Sequence, residues 1–307
     1  QRSEVENPVY DMTFEDKHTD AAAAQQVADT ILEALEQAKR PVIMLGHGVD
    51  SSFSQQKLIR FAQKRQIPII TSVLAKSVLG YDHPLNFGCI GGAYGHRYAN
   101  MIANAKSDLL LCFGISLCTR QIGTKVHEFA RGAKIIRIDI DPYNLQRDIH
   151  ENGINEVKLQ AETGAVIDCL AKAAAPDTEG ISDWLNVCTE IKENLQAVDD
   201  ATPERYPNRM IADLSDMLED TSAIAVDVGQ HMVWSYQSFK NHEGQKLLFS
   251  GGHGAMGYGL PAAIGAYYAT GKPTACICGD GALQMNIQEL EWVKRENLPV
   301  KIMVMNN

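Results

Sequence analysis

The sequence has no long apolar run, no excess of basic charge and no cysteine pattern typical of a disulfide framework. None of its apolar stretches reaches the about 20 residues that a membrane helix needs, and residues 1–20 lack the basic and apolar blocks of a secretory signal. The formal net charge of -10 would repel a nucleic acid backbone or an anionic membrane surface. We therefore predict a cytoplasmic protein that binds small molecules or protein subunits, with neither nucleic acid nor a membrane as a partner.

The seven cysteines are an odd number, and most of them lie inside apolar runs. This predicts reduced thiols in the core. Cys276 and Cys278 would face the same side of a strand, but no second ligand pair follows at zinc-site spacing. We therefore interpret this pair as core residues rather than as metal ligands.

Short β-rich runs alternate with helix-length segments along most of the chain. The predicted strands are 41–45, 68–73, 108–113 and 134–140, then 223–228, 274–278 and 300–305, with helices over 21–38, around 184–195 and over 285–295. Parallel strands need crossover connections, so this alternation predicts sheets that are covered by helices on both faces. We expect an α/β fold with two doubly wound parallel-sheet domains.

The alternation is interrupted once, and this interruption sets the predicted domain limits. Residues 173–207 are rich in charge and contain one helix, so we predict a linker there between domains over 21–172 and 208–307. The polar segment 1–20 is interpreted as a linker from a preceding domain. Since the sequence ends at the mouth of a strand, we expect the second domain to be truncated at its C-terminal end.

A Gly-Asp-Gly turn, residues 279–281, follows one predicted strand, and Asn306-Asn307 ends the next. In a right-handed βαβ unit both turns open on the same edge of the sheet, so Asp280 and Asn307 can converge. Carboxylate and amide oxygens suit Mg²⁺, which completes its octahedron with phosphate oxygens and water. The glycines and a helix soon after them favour phosphate binding. The alternative is an ordinary turn with a capping Asp, because short motifs often arise by chance.

Three segments resemble the thiamine-diphosphate-dependent enzymes. The Gly-Asp-Gly, 24 intervening residues and Asn-Asn are similar to the signature of that family, and ALQMNIQELEWVKRENLPVKIMVM resembles its acetohydroxyacid (acetolactate) synthase branch. SGGHGAMGYGLPAAIGA, residues 250–266, resembles the loop under the bent cofactor. DVGQH, residues 227–231, resembles the loop that caps the diphosphate. The first domain resembles the central domain of the same family through PVIMLGHGV, DLLLCFG and KIIRIDIDP.

The resemblance implies thiamine diphosphate and Mg²⁺ as cofactors, and decarboxylation of pyruvate followed by carboligation to a second 2-oxo acid. It assigns the metal to Asp280 and Asn307, and it gives Met256 the role of holding thiamine in its V shape. Without the resemblance, Met256 would be interpreted as core packing and His231 as a polar residue at a strand end. The implied cofactor-binding residues are Val228, Gly229, Gln230, His231, Gly254, Met256, Gly279, Asp280, Gly281, Ala282 and Asn307.

The resemblance also implies that the catalytic glutamate lies on an N-terminal domain of a neighbouring subunit. The catalytic residue is therefore unassigned, and this chain alone is expected to be inactive. Sites shared between subunits require at least a dimer, so we expect a homodimer or homotetramer, with a regulatory subunit as a further candidate partner.

In acetohydroxyacid synthases the central domain holds an FAD that takes no redox part in the main reaction. The chain departs from the family's pattern at 114–120, at 89–94 and at Gln160, which removes an arginine and an acid expected near the flavin. FAD binding and a purely structural central domain therefore stay open as alternatives. The residues that match the FAD positions are Gly46, Gly48, Ser72, Val73, Gly114, Arg120, Asp139 and Ile140.

Three other functions remain. A sister thiamine-diphosphate enzyme would act on another 2-oxo acid, a cyclic diketone or an acyl-CoA, because the departures lie outside the cofactor half-site. A non-catalytic scaffold would have little reason to keep Asp280 and Asn307. A plain dinucleotide-binding protein would use the turn at Gly46 and Gly48, but this turn lacks the full Gly-x-Gly-x-x-Gly spacing.

Overall fold

The computed structural model describes residues 19–49, 51–150, 153, 155–174 and 181–306. They form two parallel sheets flanked by helices, which confirms the predicted fold class. The first sheet has the strand order β3-β2-β1-β4-β5-β6. Its strands are β1 (Pro41–Leu45), β2 (Ile69–Thr71), β3 (Asn86–Cys89), β4 (Leu109–Phe113), β5 (Lys134–Asp139) and β6 (Glu156–Gln160).

The helices of the first domain cover both faces of this sheet. They are α1 (Ala21–Gln37), α2 (Ser52–Arg65), α3 (Arg97–Met101), α4 (Thr119–Ile122), α5 (Pro142–Gln146), α6 (Thr163–Leu170) and α7 (Ile181–Asn194). Every residue of β1 and β4 is buried, as expected for central strands covered on both faces. Helix α7 lies in the predicted linker, and the Nε1 of its Trp184 donates to the Pro41 carbonyl at 3.0 Å. This helix therefore packs against the first domain.

The second sheet has the order β10-β9-β7-β8. Its elements are α8 (Pro207–Met217), β7 (Ala223–Val226), α9 (Gln230–Ser238), β8 (Lys246–Phe249), α10 (Gly259–Thr270), β9 (Thr274–Gly279), α11 (Asp280–Met285), α12 (Glu289–Arg295) and β10 (Val300–Met305). All pairings are parallel, and the register aligns Val226 with Ile277 and Gly279 with Met305. The carboxyl ends of β7, β9 and β10 therefore meet at one edge.

Three strands of the structure are absent from the sequence prediction: β3, β6 and β8. All three lie at sheet edges. β3 is buried but short and contains Asn86 and Gly88, whereas β6 and β8 are partly exposed and so do not need the continuous apolar run that marks β1 or β4. β6 carries Glu156 and Lys158, and β8 begins with an exposed Lys246, which hides them from a search for apolar runs.

The two domains are in direct contact. The Tyr81 amide donates to the Asn241 carbonyl at 2.8 Å, and the buried Asn241 side chain donates to the Leu79 carbonyl at 2.9 Å. Leu74 of the first domain packs against Gly251 of the second, where a Cβ would lie 2.6 Å from Leu74 Cδ2. A cavity of 520 Å³ lies beside this contact.

The seven cysteines all lie in the described ranges, and each is a free thiol. Cys276 and Cys278 are buried, in agreement with their interpretation as core residues. None of the helices that the structure describes has both the length and the apolar character to cross a bilayer.

Candidate functional site

Three loops meet at the carboxyl edge of the second sheet: the one after β7, the glycine-rich segment 250–258, and the turn after β9. Strand β9 ends at Gly279, and α11 begins at the next residue with Gly279 as its N-cap. One helix was predicted over 285–295; the structure instead has α12 over Glu289–Arg295 and, before it, the separate short helix α11, which was not predicted. Asp280 consequently lies in the first helical turn, where it is exposed. Asn307, the second predicted metal ligand, lies outside the described residues.

The α11 N-terminus supplies donors beside Asp280. The N–H groups in the first turn of a helix have no helical acceptor, which applies here to Gly281 and Ala282. No group of three His, Cys, Asp or Glu side chains comes together as a metal cluster within the described ranges. A metal at Asp280 would therefore be completed by oxygens of another origin, as Mg²⁺ commonly is by phosphate and water.

His231, in the first turn of α9, lies between two glycines of this edge. A Cβ on Gly229 would be 2.7 Å from the His231 ring, and one on Gly279 would be 3.4 Å from it. The ring is buried, and its Nε2 has no hydrogen-bond partner among the described residues. Burial lowers the pKa of His231, and the nearby Asp227 carboxylate acts in the opposite direction. A neutral imidazole with one unused nitrogen therefore lies beneath the loops.

Met256 projects from the glycine-rich segment and is 47 % exposed. Its Cε lies 3.7 Å from the position that a Cβ on Gly281 would occupy. Gly254 and Gly257 have φ angles of 74° and 86°, in the left-handed region that favours glycine. Two turns that glycine makes possible thus present a long, flexible apolar side chain above the first turn of α11.

Asp227, the first residue of the DVGQH segment, and Asn286 are two residues of this edge to which the sequence assigned no role. The buried Asp227 carboxylate accepts from the amides of Val228 at 2.7 Å, Gly257 at 3.0 Å and Gly259 at 2.7 Å. Asn286 Nδ2 donates to the Gly257 carbonyl at 2.7 Å. The signal available in the sequence was a single acid directly after the apolar run of β7, because a buried carboxylate needs several donors.

In the glycine turn of the first domain, the backbone amides are hydrogen-bonded to a neighbouring segment. The Gly46 amide donates to the Phe113 carbonyl and the Gly48 amide donates to the Gly114 carbonyl, both at 2.9 Å. A Cβ on Gly46 would lie 2.0 Å from Gly114 O. These N–H groups are therefore used within the domain and are not free for a diphosphate.

The other residues at the matching FAD positions differ in exposure. Ser72 is buried, Val73 is half-buried, and Arg120 and Ile140 are exposed. The Asp139 carboxylate accepts from the Asp141 amide at 2.9 Å.

Comparison with known proteins gives two family matches. Residues 28–170 match the thiamine pyrophosphate enzyme central domain, and residues 227–307 match the thiamine pyrophosphate enzyme C-terminal TPP binding domain. The second match contains the whole of the edge described above, from Asp227 to Asn306.

Similar curated proteins are acetolactate synthases. The chain is 35% identical over 295 residues to acetolactate synthase 1, chloroplastic, of Nicotiana tabacum, covering 92% of the chain and 42% of that relative. It is 32% identical over 310 residues to the acetolactate synthase isozyme 1 large subunit of Escherichia coli (strain K12), covering 99% of the chain and 53% of that relative. The chain spans about half the length of the curated relatives it matches. Two domain matches in sequence order, together with these relatives, establish that the chain belongs to the thiamine pyrophosphate enzyme family.

Proposed function

We propose that this chain provides the diphosphate and metal half of a thiamine-diphosphate- and Mg²⁺-dependent carboligase. The enzyme would decarboxylate pyruvate and join the remaining two-carbon unit to a second 2-oxo acid, as an acetolactate synthase does. One observation carries the proposal: an exposed carboxylate, a projecting methionine and free helix N–H groups converge at one sheet edge.

The donor set fits this cofactor. Asp280 and Asn307 would hold Mg²⁺, since both offer hard oxygen ligands. The segment Val228–His231 and the amides of Gly281 and Ala282 would bind the diphosphate. The unpartnered, buried Nε2 of His231 supports a polar group next to this edge. Thiamine diphosphate, when bound, supplies the electron sink that decarboxylation of a 2-oxo acid requires.

The chain's own residues would shape and orient the site. Met256 offers an apolar surface against which thiamine rings could bend, and Gly254 allows the backbone to approach them. Since burial keeps His231 neutral at physiological pH, its ring can take part in hydrogen bonding without adding positive charge.

FAD is not part of the proposal. The amides of Gly46 and Gly48 already donate to the carbonyls of Phe113 and Gly114. The residues present therefore do not fit a flavin diphosphate at this turn, and a structural role for the central domain is the simpler proposal.

The remaining partners are proposals drawn from the same relatives. We propose a 2-oxo acid substrate and a homodimer or homotetramer whose site is completed by a glutamate from a neighbouring subunit, with a regulatory subunit as an additional partner. Location in the cytoplasm stays a prediction, because relatives named chloroplastic also match.

The test is calorimetric titration of thiamine diphosphate, with and without Mg²⁺, into the complete gene product. We expect binding that depends on Mg²⁺, and an affinity about 100-fold lower in Asp280→Ala, because loss of a direct ligand should cost at least as much as loss of its supporting partners. Asp216→Ala, which removes an exposed acid from α8, should bind as the wild type does. A pyruvate assay would follow.

Equal binding by wild type and Asp280→Ala, or no binding by either, would contradict the proposed function. Mg²⁺-dependent binding without turnover of pyruvate would keep the cofactor assignment and remove the assigned substrate.

A further inference from the structure

The glycine turn that follows Met256 is held from two sides by residues that the proposed function leaves without a role. On one side, Asp227 accepts from the amides of Gly257 and Gly259. On the other side, Asn286 donates to the Gly257 carbonyl. We propose that Asp227 and Asn286 are positioning residues that fix Met256 in the cofactor site. This inference rests on the proposed function.

The contact at Gly257 is tight enough to fix the turn. Gly257 has a φ of 86°, and a Cβ there would lie 2.8 Å from both Asn286 Nδ2 and Met285 Cβ. Upstream the backbone is less confined, because a Cβ on Gly254 would meet only Ser250 O, at 4.0 Å. Met256 therefore lies between one confined and one open turn, and the confined turn determines where its side chain can project.

The same bonds join all three loops of the site. Asp227 immediately precedes Val228–His231, and it also accepts from the Val228 amide at 2.7 Å. Asn286 directly follows α11, which begins with Asp280. The segments assigned to the diphosphate, the rings and the metal are thus connected through one glycine.

The hydrogen bonds to the Asp227 carboxylate are strong enough to hold the glycine-rich loop in place. Asp227 is only 1 % exposed, and its two oxygens receive three backbone N–H groups. Hydrogen bonds to an ionised acceptor are about twice as strong as neutral ones. Loss of one acceptor oxygen would leave a buried N–H without a partner, which costs more than the bond itself contributes.

Two variants test the inference by calorimetry with Mg²⁺ and the complete gene product. Asp227→Asn keeps the shape but sets an NH₂ group against a backbone donor, and Asn286→Ala removes the donor to Gly257. We expect each to lower the affinity for thiamine diphosphate about 10-fold. The matched control is Asn194→Ala, which removes a 2.8 Å bond from a side-chain amide to the Glu190 carbonyl in α7, and it should leave the affinity unchanged.

A double-mutant cycle separates positioning from general stabilisation. We call Asp227 and Asn286, with their bonds to the turn at Gly257, the clamp. If the clamp acts through Met256, then Asp227→Asn should cost little further affinity for thiamine diphosphate in a Met256→Ala background, because the two losses share one cause. Additive losses would overturn the inference.

Hydrogen exchange of residues 251–260 gives a readout that does not need the cofactor. We expect faster exchange of the Gly257 and Gly259 amides in Asp227→Asn and of the surrounding segment in Asn286→Ala, but not in Asn194→Ala. If Asp227→Asn does not fold, Asn286→Ala carries the test alone.

The outcomes distinguish the two proposals. Suppose that Asp227→Asn and Asn286→Ala both keep wild-type affinity and wild-type exchange, while Asp280→Ala loses binding. This result would overturn the positioning role and leave the proposed function intact. If wild type and Asp280→Ala do not differ, the proposed function fails; Met256 then has no cofactor to support and the positioning role falls with it, whatever exchange shows.

Discussion

The carboxyl edges of the two sheets are built in the same way but differ in which groups they expose. In the first domain the glycines pack backbone against backbone, with the Gly48 amide bonded to the Gly114 carbonyl at 2.9 Å. In the second domain Gly254 and Gly281 leave space around them, and Met256 and Asp280 project from the edge. Doubly wound sheets commonly bind ligands at this edge, and in the first domain the backbone amides of the glycine turn are already hydrogen-bonded there. The fold thus offers a location, and the local residues decide whether it is used.

The largest expected difference between the two edges concerns added volume. We expect Gly46→Ala to lower the free energy of unfolding by about 3 kcal/mol, because the new Cβ would overlap backbone atoms that cannot rotate away. Gly281→Ala adds the same methyl group in a helix, where the nearest atom is Met256 Cε at 3.7 Å. It should keep or raise stability by up to about 1 kcal/mol.

Urea unfolding of both variants measures this difference, and cofactor titration sharpens it. Gly281→Ala should weaken thiamine diphosphate binding despite its unchanged stability. Equal destabilisation by the two substitutions would show that neither edge has space for an added methyl group. The contrast between the two edges would then be wrong.

A smaller difference is expected in the response to acid. Burial lowers the pKa of His96 in the first domain well below its usual range, and the charge of Lys76 acts in the same direction. Burial also lowers the pKa of His231, but there Asp227 opposes the shift. An unfolded histidine takes up a proton below about pH 6.5 while the folded ring stays neutral, so stability falls as the pH drops below that value.

We expect His96 to account for about 1 kcal/mol of stability lost between about pH 7.5 and about pH 5.5, and His231 for less. Urea unfolding of wild type, His96→Gln and His231→Gln at both pH values gives the two contributions by difference. An equal loss in wild type and His96→Gln would remove the first domain's role in acid sensitivity.

The smallest effects are expected at two surface ion pairs, of which Lys57–Asp168 is half-buried and Lys301–Asp220 is exposed. Lys57 and Asp168 in the first domain and Lys301 and Asp220 in the second each approach to 2.6 Å. Exposed pairs contribute about 0.2–1 kcal/mol. Lys57→Gln should cost more within that range than Lys301→Gln, because Lys57 also lies 3.9 Å from the centre of the Phe53 ring. Thermal unfolding at low and high salt would check both, and an effect above about 2 kcal/mol at either would contradict this assignment.

The sequence predicted the fold most accurately where burial alone decides the structure. β1 has the predicted limits, because a continuous buried apolar run determines them. The edge strands β6 and β8 were missed since partial exposure permits polar residues, whereas the edge strand β10 was predicted from its apolar residues despite Lys301. The short helix α11 was missed because Gly279 and Gly281 favour a turn on propensity alone, whereas the structure uses Gly279 as an N-cap.

In the candidate site, too, some features could be predicted from the sequence and others could not. Sequence motifs identified the loops that meet at the edge. They did not predict the bonds from Asp227 and Asn286 to Gly257, which join residues 30 and 29 positions apart. Such bonds depend on how the loops pack, which a pattern in the sequence does not specify.

Leu74 of the first domain packs directly against Gly251 of the second domain. Leu74 occupies the space that the missing Cβ of Gly251 leaves, at the start of the segment that carries Met256. Even a methyl group at position 251 would have to displace the Leu74 side chain, so the start of the glycine-rich segment and the contact between the domains constrain one another.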